Sequence, residues 1–145
     1  MLSIEICSEQ EALEFDEELL RRAAVAILAD AGVRHGSLSI AVVDDPTIHR
    51  LNREFLQHDD PTDVLSFLLE REGDRLEGEV IVSADTAIRS ATEIGWPSAH
   101  ELLLYVIHGT LHLVGYDDLE ADAQQEMRER ERDYLYKIGI SQPTK

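Results

Sequence analysis

Residues 102 to 113, Leu-Leu-Leu-Tyr-Val-Ile-His-Gly-Thr-Leu-His-Leu, read as a helix that is apolar on nearly every face. Such a helix has no side suited to water, so the rest of the chain has to surround it. Leu102, Leu103, Tyr105, Val106 and Ile107 therefore mark an interior element. Yet the same stretch carries His108 and His112, four residues apart. That spacing stacks two imidazoles on one helix face, one turn apart. Gly115 follows, and glycine closes a helix in the left-handed conformation without a Cβ penalty. A chain that reverses there brings Asp118 back toward the histidines. Two imidazoles and a carboxylate make three protein ligands, the usual number for a catalytic zinc that keeps one position open for water. Paired histidines also occur in core helices with no metal role, so spacing alone leaves both readings open. Asp117 is the rival third ligand.

What the strip lacks narrows the chemistry. Helical zinc peptidases place a glutamate directly after the first histidine, where it serves as general base. Here Gly109 holds that position. Peptide hydrolysis by that route needs a base from elsewhere.

The rest of the chain reads as a single α+β domain over residues 1–145, with about four strands in a mixed sheet and about five helices. A chain of 145 residues buries a substantial core and is short for two domains. Residues 2 to 6 alternate as a strand. Asp16 caps a helix running to about Ala31, with Leu19, Leu20, Ala23, Ala24, Ile27 and Leu28 as its apolar stripe. Leu38 to Val43 is a second strand, and Asp45-Pro46 opens a helix bearing Leu51, Asn52 and Phe55. Val64 to Leu69 and Glu79 to Ser83 are further strands, with Gly73 to Gly78 a turn-rich connection between them. Ala84 to Ile94 is helical and stops at Gly95, and Pro97-Ser98 precedes the buried helix with the metal strip at its end. The last helix, about Glu120 to Ile138, is very polar, and reads as a solvated helix with surface pairs such as Glu126 and Arg130.

Composition sets further bounds. No apolar run reaches membrane-spanning length, and Met1-Leu-Ser-Ile-Glu-Ile lacks the pattern of an export signal. Cys7 is the only cysteine, which rules out an intrachain disulfide and suits a reducing cytoplasm. It reads as a small buried strand residue. Thirty acids face 13 bases, a net charge of −17. A polyanion is repelled by such a field, although screening at cell-like salt limits the reach to about 8 Å. A local basic patch or a bound dication could offset it, and the acidity also serves solubility.

The strip from His108 to Asp118 resembles the signature of the YbeY family, His-Gly-x-Leu-His-Leu-x-Gly-Tyr-Asp-His, with Asp118 standing where the family has its third histidine. Two further blocks are similar to the family: Leu51-Asn52 followed by Pro61-Thr62-Asp63-Val64-Leu65-Ser66-Phe67, and Gly78-Glu79-Val80-Ile81-Val82. Together the similarity spans about residues 40 to 139. The resemblance implies a metal-dependent, single-strand-specific endoribonuclease of ribosomal RNA maturation and ribosome biogenesis. It implies one zinc ion at His108, His112 and Asp118, and ribosomal RNA with components of the small ribosomal subunit as partners. The phosphodiester would be attacked by a metal-activated water or by the RNA's own 2′-hydroxyl.

Two departures from the family pattern matter. A carboxylate in place of a neutral imidazole lowers the site charge from +2 to +1, raises the pKa of a bound water, and widens tolerance for manganese, iron or nickel. The family's arginine and lysines ahead of the Pro-Thr block align with Leu56, His58 and Asp60, which removes groups suited to phosphate. Arg53 is a candidate substitute and His58 a candidate acid or base. Thr62, Asp63 and Ser66 are candidate cleft residues. The alternatives are a non-catalytic assembly factor with a structural metal, bound to a ribosomal protein or an assembly GTPase, and a metal-dependent hydrolase of another substrate such as a peptide.

Overall fold

The computed structural model describes residues 1–56 and 62–143. Among them are four strands and five helices: β1 (Leu2–Ser8), α1 (Glu17–Asp30), β2 (His35–Val43), α2 (Asp45–Leu56), β3 (Val64–Glu72), β4 (Arg75–Ser83), α3 (Ala84–Ile94), α4 (Ser98–Leu113) and α5 (Ala121–Ile138). The sheet order is β1-β2-β4-β3. β1, β2 and β4 run parallel, and β3 returns antiparallel on β4. This is the mixed α+β arrangement anticipated from the sequence. No helix among the described residues is long and apolar enough to cross a membrane.

Strand alternation gives the sheet two working faces. Leu38, Ile40 and Val42 of β2 and Leu76, Val80 and Val82 of β4 face the main core. Val43 and Leu65 face the other way and pack with Ile48 of α2. The main face is covered by α4, which in turn touches α1, α3 and α5. Within α4, every residue from Glu101 to Leu113 is buried except Leu104, His108 and His112. From Glu101 onward, one open stripe at i, i+4 spacing is therefore all that this helix offers to solvent, and both histidines lie on it. Fully buried side chains such as Leu103, Ile107 and Leu111 each contribute roughly 1.5–3 kcal/mol by leaving water.

Two glycines let α4 lie close to the sheet. A Cβ on Gly109 would sit 2.7 Å from Val80 Cγ1 and 2.9 Å from both Ser66 Oγ and Val64 Cγ2. A Cβ on Gly78 would sit 2.9 Å from Leu113 Cδ1. Gly78 thus lies inside β4, which corrects the expected turn-rich connection from Gly73 to Gly78. The actual reversal is confined to Gly73-Asp74, with Gly73 at φ 57°. Glycine here marks a close approach of a helix, which mimics a turn in the sequence. Cys7 also departs from expectation: it is exposed. Leu2, Ile4 and Ile6 take the core-facing parity of β1, which leaves Cys7 on the opposite face.

The ends of α2 and α3 are tied together near the sheet. Asp44 Oδ1 accepts from Thr47 N at 2.9 Å, which caps α2. Asp45 accepts from Ser83 Oγ at 2.6 Å and Thr86 Oγ1 at 2.8 Å, and pairs with Arg89 at 2.7 Å. Asp85 returns the bond by accepting from Asp45 N at 2.8 Å. Burial opposes ionisation of Asp45, but the hydrogen bonds from Ser83, Thr86 and Arg89 outweigh it and hold its pKa below the usual value. A lowered folded pKa stabilises the protein above the unfolded carboxylate value, and that stabilisation is lost as pH falls through the folded pKa. Asp45→Ala should lower unfolding free energy by about 1–3 kcal/mol at neutral pH, with the deficit shrinking in acid. Urea melts of both proteins across the acid range check this, and a deficit independent of pH would contradict it.

Candidate metal centre

The end of α4 shapes the site. Gly115, at φ 108°, follows the helix. Its N–H donates to His112 O at 3.1 Å, and Tyr116 N–H donates to Leu111 O at 3.1 Å. This paired closure is the Schellman arrangement, which requires a left-handed residue where Gly115 stands. It reverses the chain so that Asp118 returns to the open stripe of α4. His108 Nε2 and His112 Nε2 are then 3.1 Å apart. Asp118 Oδ2 lies 3.5 Å from His108 Nε2, and Oδ1 lies 3.7 Å from His112 Nε2. Ligand atoms around a tetrahedral zinc, at about 2.0–2.1 Å from the ion, are ~3.3 Å from one another. The three donors fit that spacing, and all lie within 4.8 Å of one another. The sequence-derived trio of His108, His112 and Asp118 is thus brought together. Asp117 instead accepts from Leu119 N at 3.3 Å, a local turn contact.

The second imidazole nitrogen decides whether such a trio can ligate. His108 Nδ1–H donates to Glu131 Oε2 at 2.6 Å. A carboxylate only accepts, so in the neutral ring the proton sits on Nδ1 and the Nε2 lone pair faces His112 and Asp118. Glu131 is buried on α5, and a carboxylate behind a ligating imidazole is a common outer partner of metal sites. Burial pushes the His108 pKa down, but the hydrogen bond and charge of Glu131, with the charges of Asp118 and Asp63, raise it overall. His112 is pushed down, by burial first and then by His108, which favours the neutral, ligating form.

Glu131 was not legible as a site residue, and α5 is not the solvated helix its polarity suggests. Met127, Glu131, Tyr134 and Leu135 are buried along one side. Gln124 Nε2 donates to Asp118 O at 2.9 Å and steadies the returning loop. Arg130 pairs with Asp133 at 2.9 Å instead of Glu126. The available clue was Met127, Tyr134 and Leu135 at helical spacing, with an acid on the same inward stripe.

Two clefts flank the histidines. One, of 440 Å³, is bordered by Leu56, Thr62, Asp63 and Ser66 with His108, His112 and Asp118. The other, of 340 Å³, lies between α4 and α5 beside His108 and Asp118. Thr62, Asp63 and Ser66 therefore do line the site as expected. Ser66 Oγ donates to Gly109 O at 2.9 Å, which fixes β3 against the histidine helix. Arg53 is exposed near the end of α2. His58 and Asp60 lie outside the described residues.

The family profile described as Endoribonuclease YbeY matches residues 5–139. The chain belongs to the YbeY family. A relative from Rhodopirellula baltica, named Endoribonuclease YbeY, is 47% identical over 90% of this chain and 69% of its own length. One of the same name from Syntrophotalea carbinolica is 41% identical over 93% of this chain and 95% of its own. A solution structure of a Thermotoga maritima protein superposes with a TM-score of 0.65 at 31% identity, over 93% of this chain and 88% of that one. YbeY similarity thus begins near residue 5, well ahead of the blocks that first suggested it from about residue 40. It takes in β1 and α1, whose sequences carry no distinctive motif.

Proposed function

We propose that this chain is a metal-dependent endoribonuclease of single-stranded RNA that acts in ribosomal RNA maturation in the cytoplasm, with His108, His112 and Asp118 holding one zinc ion. The carrying observation is the convergence of three ligand atoms at metal-ligand spacing, with Glu131 fixing the His108 tautomer, in a chain of the YbeY family. When bound, the ion supplies Lewis acidity, lowering the pKa of a water and polarising a phosphoryl oxygen. The chain's own residues hold the geometry. Glu131 and Gln124 position a ligand imidazole and the ligand loop, and Ser66 locks the helix to the sheet. Thr62 and Asp63 line the cleft along which a strand would pass. The partners that follow are ribosomal RNA and components of the small ribosomal subunit.

The contact of α4 with the sheet argues against the usual helical zinc-peptidase mechanism. Position 109 faces Val64, Ser66 and Val80, so no glutamate fits there without displacing the sheet contact. One observation favours a second reading. Leu56 stands at the cleft where the family resemblance expects a cation. A ribosome assembly factor with a structural metal, docked on a ribosomal protein or assembly GTPase, fits that loss. Cleavage of a single-stranded ribosomal RNA fragment separates the two. Wild type should cleave when metal-loaded, and His112→Ala, purified identically, should fall to background. Equal cleavage by both would trace the activity to a contaminant and remove the enzymatic reading.

A further inference from the structure

The cleft between α4 and α5 holds a single arginine among carboxylates. Asp63, Glu101, Asp118 and Glu131 give that cleft acidic walls, and Arg128 projects into the same space. Arg128 is exposed and makes no ion pair with any described residue. Among the described residues some arginines find acids, as Arg75 does with Glu77, Arg89 with Asp45 and Arg130 with Asp133, and others such as Arg22 and Arg132 do not. Along α5, Gln124, Arg128 and Glu131 are four and three residues apart and so share one face. Gln124 holds the Asp118 loop and Glu131 holds His108, which fixes where that face points.

We infer that Arg128 is the phosphate-positioning residue of this site, gripping a phosphodiester of a single-stranded polynucleotide beside the metal ligands. The inference rests on the endoribonuclease reading above. A guanidinium matches two phosphate oxygens with a rigid fork of donors, and keeps its charge at any working pH. The geometry assigns it the electrostatic task left open by Leu56, but from the opposite wall of the site. In a chain of net charge −17, one unpaired cation at the cleft is where a polyanion finds its local attraction. The strand would then run across the open stripe of α4, between the α5 face and the β3 side.

The test uses full-length, metal-loaded protein and a fully 2′-O-methylated single-stranded RNA, which the internal 2′-hydroxyl route cannot cleave. Binding is followed against salt for wild type, Arg128→Ala and Arg128→Lys, with metal content measured for each. Arg128→Ala should keep its metal, bind about tenfold more weakly near 0.1 M salt, and show a log–log salt slope smaller by about 0.7, one phosphate contact on a single strand. Arg128→Lys should restore the slope and only part of the affinity, because the charge returns without the fork. A metal-replete Arg128→Ala with wild-type affinity and slope would overturn the assignment to Arg128 alone, leaving the nuclease reading standing. Wild-type protein that binds neither this RNA nor its unmodified counterpart would overturn both.

Discussion

Replacing Asp118 by alanine should cost more metal affinity than the roughly 10–100-fold typical of losing an outer partner, while Asp117→Ala should change it only severalfold. The two aspartates are adjacent, so composition and local charge are nearly the same in both variants. What differs is direction. Asp118 turns its carboxylate to both Nε2 atoms at 3.5 and 3.7 Å, whereas Asp117 accepts from the backbone of Leu119. Competition titrations with a chromophoric chelator read the difference. The reverse order of the two variants would transfer the third ligand to Asp117. Asp118→His should retain binding, since it recreates the three-histidine signature that this chain resembles.

Glu131 should govern the metal from one step further out. In Glu131→Leu, His108 Nδ1–H loses its acceptor in a part-buried setting, and the imidazole is free to rotate or to exchange tautomers. The expected loss is about 100-fold in metal affinity, toward the upper end for outer partners, and about tenfold in Glu131→Gln, whose amide oxygen still accepts. The rise in Tm on adding metal should shrink in the same order, because ligand-linked stabilisation follows affinity. Unchanged affinity in Glu131→Leu would reduce the 2.6 Å contact to a packing detail.

These two predictions differ in how far the sequence alone supports them. The convergence of Asp118 with the histidines was readable because helix spacing, a closing glycine and chain reversal are local rules, and they acted as written at His108, His112 and Gly115. The buried character of α4 was readable for the same reason. Glu131 was not, because its role depends on how α5 docks against α4, and polarity along α5 points to solvent. Gly78 misled in a similar way: a glycine that admits Leu113 looks, in sequence, like one that makes a turn. Cys7 was misplaced by residue-type preference where strand parity decided. Arg128 carried no motif at all, and only the shared face with Gln124 and Glu131 gives it a direction.

The most direct test of the central claim is the metal content of untagged wild-type protein purified without chelator, by elemental mass spectrometry. About one equivalent of zinc or a similar divalent transition metal per chain, released on chelation and regained on adding zinc, is the result expected from three converging ligands. Protein that is metal-free as purified and takes up no added zinc would contradict it, and the histidine strip would then be a feature of the buried helix alone.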